Sequence, residues 1–259
     1  LLVDEPTDQK TGDVHQALIV GVLSANLTRA GWWENVEAAH FAEIKDRERG
    51  EHPKYRREPF RRDVLAVLRR IESLLPAGEE LPVLESVRTF LRTRTVRSTP
   101  QHASTTKGWW PRIWTGQESL PEFLASLNLN RWSFNLEVVS PFFDAHDRGV
   151  LQRVIDATQP AAVRVFLPTD AESTALVSPE QFEAVAAVAT WSKLPHQLVS
   201  RGEGGASMAD RRVHAKVYRF WARDVGDVIV VGSPNLTRPG HQGRGGNVEA
   251  AFFVDASDA

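Results

Sequence analysis

The sequence predicts an α/β fold of two similar lobes, each a mixed β-sheet flanked by helices, related to one another by a pseudo-two-fold axis. Three observations predict it. The phrase LSANLTRAGWWENVEAAHF at 23–41 returns as GSPNLTRPGHQGRGGNVEAAFF at 232–253. Each copy follows two apolar, β-branched runs that read as a hairpin. Between the copies, short buried strand patterns alternate with helical ones, as they do in α/β proteins. Two copies without a third do not make a fixed-period solenoid. Two matched blocks in one order, behind the same hairpin, are also more than a chance echo. The lobes are expected at 1–131 and 132–259.

In chain order, runs at 1–3 and 17–23 form the first hairpin, and its Ser-x-Asn-Leu-Thr-Arg loop leads into a strand-like NVEAAHF. The stretch 45–63, KDRERGEHPKYRREPFRRD, is a charged connector. From 60 to 75 the apolar residues Val64, Leu65, Val67, Leu68, Ile71 and Leu75 fall on one helical face. A second helix is expected at 83–91. A third is expected at 119–129, with Ser119 as its cap and Glu122 three residues on. WSFNLEVVSPFFD at 132–144 reads as a buried strand opening the second lobe, and 161–168 as another. Residues 178–192 read as a helix, with Ser178 capping and Pro179 in first position. A polar, Gly-rich loop at 200–212 precedes the second hairpin, whose runs at 217–221 and 228–231 are joined by ARDVGD. A second strand-like NVEAAFF closes the pattern.

Bulk properties narrow the function. The 259 residues are 42% apolar and 25% charged, with a formal net charge of −2, so contact with nucleic acid or lipid has to come from a local patch. There is no cysteine, which excludes disulfides, thiolate chemistry and Cys-based zinc sites, and favours a cytoplasmic protein. No apolar run approaches the ~20 residues of a membrane helix, so no membrane partner is expected. The chain opens on LLVDEP, which carries neither signal-peptide features nor an initiating Met. The expectation is that its beginning is missing.

The chemistry concentrates in the second copy. His214 and Lys216 stand two apart in VHAKVYRF, which on a strand sends both to one face. The hairpin partner ends in GSPN, bringing Ser233 and Asn235 to the neighbouring strand end. Imidazole can attack phosphorus or protonate a leaving oxygen, while ammonium and carboxamide can neutralise phosphoryl oxygens. No carboxylate cluster has metal-ligand spacing, so neither a metal nor another cofactor is expected. Glu37 and Glu249 sit in apolar strand patterns, where an unpartnered carboxylate is costly.

H-x-K followed by G-S-x-N, half of it repeated, resembles the phospholipase D superfamily of nucleases, tyrosyl-DNA phosphodiesterases and lipases. The resemblance implies a metal-independent reaction. One histidine forms a phosphohistidine, the other lobe's histidine serves as acid and then base, and paired lysines and asparagines hold the phosphoryl oxygens. It implies that His214, Lys216, Ser233 and Asn235 form the second catalytic half, with Glu249 supporting a histidine. Ser24, Asn26 and Glu37 correspond in the first. The family's aspartate, five residues after the lysine, falls at Trp221, as in the tyrosyl-DNA phosphodiesterase form. The first half shows no H-x-K. If Asp4 is its aspartate, the missing lysine and histidine belong two and four places before Leu1. The alternative is a degenerate lobe.

Other residues have two readings each. Arg29 and Arg238 recur in the repeat, to clamp phosphate or to tie down the loop. The pairs Trp32–Trp33 and Trp109–Trp110 stack on bases or pack locally. Lys54, Arg56, Arg57, Arg61 and Arg62 track a phosphate backbone or form a solvated face. His102 reads as structural. The resemblance implies a nuclease, on DNA rather than RNA, in bacterial defence or repair, with a fused or associated helicase- or ATPase-type partner. A phospholipase, or a catalytically degenerate nucleic-acid-binding module, is the alternative.

Overall fold

The computed structural model describes residues 1–4, 15–26, 28–46, 58–79, 81–95, 111–144, 149–170, 174–199 and 211–256. The chain divides into two compact units, residues 1–21 with 41–113, and residues 22–40 with 114–259.

In the first unit, β1 (Leu2–Asp4) pairs antiparallel with β2 (Gln16–Leu23), and β3 (Ala39–Lys45) flanks β2. This is the expected hairpin. Helices α1 (Glu58–Glu72) and α2 (Pro82–Thr93) follow, Pro82 starting α2 where its missing N–H costs nothing. Phe60, Val64 and Leu68 are buried as the periodicity requires, whereas Ile71 is exposed near the helix end. Arg61 departs from the solvent or phosphate role expected of it. It is buried, and its Nε donates to Leu91 O (2.8 Å) and Thr95 Oγ1 (2.9 Å), which ties α1 to α2. Asp63 accepts from Arg112 Nε at 2.6 Å and from the Ile113 amide at 3.0 Å.

The second unit is built on a seven-stranded sheet. Its strands, in chain order, are β4 (Arg112–Trp114), β5 (Asn135–Val139), β6 (Ala162–Phe166), β7 (Thr190–Ser192), β8 (Val217–Ala222), β9 (Gly226–Gly232) and β10 (Ala251–Asp255). Their order across the sheet is β4-β10-β9-β8-β5-β6-β7, with β5, β6 and β7 parallel and β5, β8, β9 and β10 antiparallel in succession. Leu136, Val138, Val165, Tyr218, Phe220, Val228 and Val230 are buried along it. Helices α3 (Leu120–Ser126) and α4 (Gly149–Thr158) bury Phe123, Leu124, Val150, Leu151 and Val154.

Both predicted caps form. The Ser119 hydroxyl accepts from the Glu122 amide while the Glu122 carboxylate reaches back, and Ser178 and Gln181 do the same for α5 (Pro179–Ala186). Both helices are shorter than the sequence suggests. Asn128, in the left-handed region at φ 55°, ends the α3 segment before a 3₁₀ turn at Leu129–Arg131. The helix expected to reach 192 stops at Ala186, because Thr190–Ser192 gains a parallel partner in β6. Trp191 then stacks on Phe182 (centroids 5.5 Å apart) and donates Nε1–H to Phe182 O at 2.9 Å. The short α6 (His196–Val199) and α7 (Arg238–His241) complete the described helices.

Candidate active site

The repeated phrase builds the same cradle twice. In the first copy the Ser24 amide donates to Ala38 O (2.8 Å), and the Ala38 amide donates back to Ser24 Oγ (2.9 Å). In the second, Ser233 and Ala250 exchange the same bonds at 3.0 and 3.0 Å. Thr28 Oγ1 accepts from the Gly31 amide and Thr237 Oγ1 from the Gly240 amide, at 3.2 and 3.3 Å. The spacing to glycine has a steric cause. A Cβ on Gly31 would sit 2.5 Å from Asn26 O, and one on Gly240 2.7 Å from Asn235 O. The Asn of each Asn-Val-Glu reaches its glutamate, Asn35 Nδ2 to Glu37 Oε1 (3.5 Å) and Asn247 Nδ2 to Glu249 Oε1 (3.2 Å). Neither Asn-Val-Glu is itself a strand, contrary to the reading above. Asn247–Glu249 lies just ahead of β10, and Asn35–Glu37 runs extended, through an isolated bridge, just ahead of β3.

That extended stretch delivers the first copy to the second. Val36 bridges Val213 in parallel, its amide donates to Arg212 O, and its carbonyl accepts from both His214 and Ala215 amides at 2.9 Å. His214 and Lys216 therefore stand immediately before β8, not within the strand, yet the two-residue spacing still brings them together.

Glu37 Oε1 lies 2.8 Å from His214 Nδ1, and Glu37 Oε2 accepts from the Ser24 hydroxyl at 2.5 Å. A carboxylate at Nδ1 favours the proton there and leaves Nε2 with its lone pair. Lys216, 3% exposed, donates from Nζ to His214 O (2.8 Å) and Ser24 O (3.2 Å). Nζ also stands 3.0 Å from His214 Nδ1 and 3.1 Å from Nε2. Burial pulls the Lys216 ammonium down to about 8, against the opposing pull of Glu37 and then Glu249. Both glutamates of the repeat thus act on one lysine.

Asn235 leads the second loop with its Oδ1 buried and unpaired by protein. Residues the sequence reading passed over fix this loop. The Ser140 hydroxyl accepts from the Leu236 amide at 3.0 Å, Phe143 bridges Leu236, and Asp144 Oδ2 accepts from the Arg238 amide at 2.5 Å. Beneath it, the Tyr218 hydroxyl and His241 Nε2 share a bond of 2.5 Å, both groups buried. Burial and the Arg153 charge push His241 down to about 3, and burial with the Glu249 charge raises Tyr218, so the pair stays neutral. The signal for these positions was the tripeptide boundary Ser-Pro-Phe after a buried strand, a loop start whose side-chain roles periodicity does not reveal.

The remaining expected residues are exposed or lie outside the described residues. Asn26 is exposed, Arg29 is an exposed partner of Glu34 (3.2 Å), and Arg238 is exposed at the start of α7. Trp109, Trp110, His102, Lys54, Arg56 and Arg57 lie outside the described residues, as do the Trp32 and Trp33 side chains. Among the described residues no three His, Asp or Glu side chains group as metal ligands do, and no helix is long and apolar enough to cross a membrane.

Solved structures share this architecture. A mutant of the yeast tyrosyl-DNA phosphodiesterase aligns with 95% of this chain and 65% of its own, at 11% identity and a TM-score of 0.54. The chain has a phospholipase D-like fold. A second mutant structure of the yeast enzyme covers the same 95% and 65%, at 11% identity and a TM-score of 0.51. NucT from Helicobacter pylori aligns over 57% of this chain and 86% of its own, at 14% identity and a TM-score of 0.35. No family model and no curated protein matches the sequence. The likeness to the yeast enzyme is thus one of backbone fold, at 11% identity.

Proposed function

We propose that the protein is a phosphodiesterase of the phospholipase D type that hydrolyses nucleic-acid phosphodiester bonds without a metal. The observation that carries this is the Glu37–His214–Lys216 group. A carboxylate orients an imidazole through Nδ1, and a buried ammonium stands at the same ring. A phosphate entering here draws Lys216 Nζ from Nε2 onto a phosphoryl oxygen, and this frees the nitrogen that reacts. Asn235 leads the loop that follows β9, and its amide N–H is suited to a second phosphoryl oxygen as charge builds.

The full cycle needs two histidines. The Nε2 lone pair of one forms a bond to phosphorus as the P–O bond to the leaving group breaks, and the other gives that oxygen its proton. The second then takes a proton from water, whose oxygen displaces the first histidine. His214 fits either role through Nε2. Glu249, buried in the second cradle, is suited to hold a partner histidine as Glu37 holds His214. The two cradles, with the same serine–alanine exchange and the same threonine–glycine bond, support two lobes about a pseudo-two-fold axis. DNA is the expected polymer, in line with the similarity to the yeast tyrosyl-DNA phosphodiesterase, and defence or repair the expected setting.

The test is cleavage of labelled single- and double-stranded DNA and RNA in EDTA, beside His214→Ala. Turnover in EDTA, lost in the variant, is the expected result. Activity that EDTA abolishes and Mg²⁺ restores overturns the metal-free mechanism, and no cleavage of any polymer leaves a binding module in its place.

A further inference from the structure

We infer that Phe142 is a stacking platform for an unpaired nucleobase next to the phosphate that meets His214; this rests on the nuclease reading and narrows its substrate to unpaired nucleotides. The tripeptide Pro141-Phe142-Phe143 divides its aromatic work. Phe143 turns to Trp191 (centroids 5.7 Å), which itself stacks on Phe182, so Phe143 serves packing. Phe142 stays 54% exposed. Its ring centroid is 6.0 Å from that of His214, with the rings nearly perpendicular at 81°.

Exposed phenylalanines are ordinary on a protein surface. One held beside a reactive imidazole is different, because it falls next to the nucleotide whose phosphate the imidazole meets. Its position is also fixed. The buried Ser140 hydroxyl donates to Phe142 O at 2.9 Å while accepting from the Leu236 amide, so one residue sets both Phe142 and the Asn235 loop. A phenyl ring offers a π-face to any base and reads no sequence. It competes only for bases not already stacked in a duplex. The site so formed takes a phosphodiester flanked by an unpaired base, as in single strands and frayed ends.

The experiment compares a short oligothymidylate with a phosphodiester oligomer of equal length built from abasic residues, using wild type, Phe142→Ala and Phe142→Trp. Each is read as kcat/KM and as Kd by fluorescence anisotropy, with thermal midpoints as the check on folding. Wild type is expected to favour the base-bearing oligomer about tenfold or more, the scale of stacking one base on an aromatic ring. In Phe142→Ala that ratio is expected to fall toward one, and Phe142→Trp is expected to keep it. A wild-type ratio near one, or a ratio unchanged by Phe142→Ala, overturns the proposal. Failure of the nuclease reading looks different. Neither oligomer is then cleaved above the His214→Ala level, and the Kd ratio alone decides whether Phe142 holds a base.

Discussion

The two copies of the Asn-Leu-Thr-Arg phrase share a backbone but not a complement. Around residues 24–38 the cradle is joined to an imidazole, since Glu37 is bonded to Ser24, Asn35 and His214 at once. Around 233–250 the same serine–alanine exchange and the same asparagine recur, yet among the described residues no histidine stands against Glu249. The comparison teaches that the repeated phrase specifies a holder. What the holder grips depends on which other segment crosses it. Val36 accepts the His214 and Ala215 amides, and that crossing brings the imidazole to the first cradle.

The largest expected effect breaks the gripped member. His214→Ala should lower turnover by at least ~10²–10⁴-fold, the usual contribution of a positioned acid, base or nucleophile. Its thermal midpoint should stay near wild type. Single-turnover rates and melting curves on the same sample check this. A midpoint falling in step with activity would mark His214 as a packing residue.

Next come the two glutamates. Glu37→Gln should cost about 10²-fold or more in rate, because an amide no longer stabilises the imidazolium or fixes its tautomer. If Glu249 holds a partner histidine, Glu249→Gln costs a similar factor. Full activity in Glu249→Gln would reduce the second cradle to a structural echo of the first.

A pH series separates the lysine from both. With Lys216 drawn down to about 8, kcat/KM should fall about tenfold per pH unit once that ammonium is lost, well above neutrality. Stability should move the other way. The folded value lies below the ordinary 10.5, so between about 8 and 10.5 the unfolded chain binds more protons, and the free energy of unfolding rises with pH. Melting curves from pH 7 to 11 on wild type and Lys216→Met should show this rise in wild type only. Equal slopes in the two proteins would refute it.

The smallest effect sharpens the cradles themselves. Ser233→Ala removes a hydroxyl that accepts the Ala250 amide, and about 1 kcal/mol of stability should go with it. Ser24→Ala should cost more and slow the reaction as well, because its hydroxyl also donates to Glu37. Urea denaturation of the two variants is the measurement, and the order of the losses is what it has to reproduce.

Local signals were legible wherever the bonds are local. The second hairpin, both capping boxes and the burial of Phe60, Val64 and Leu68 follow from patterns a few residues long. So does the meeting of His214 with Lys216, which stand two residues apart. The misreadings came where distant partners intervene. Thr190–Ser192 left its helical pattern because β6 offered backbone hydrogen bonds, and Arg61 went inward because α2 offered Leu91 O and Thr95 Oγ1.

The sequence by itself determined that two similar loops would form. Thr and Gly three residues apart bond within each loop, and Gly31 and Gly240 are required by backbone that passes too close for a Cβ. It also determined which side chains were chemically able to meet a phosphate. Only the tertiary structure decided that Glu37 of one copy takes the histidine of the other, that Lys216 is buried deeply enough to hold its proton weakly, and that Phe142 stands at the imidazole. The reason is physical. A hydrogen bond within a turn is fixed by covalent spacing, whereas a contact between remote segments, and the desolvation that goes with it, exists only once the sheet has set the register between them.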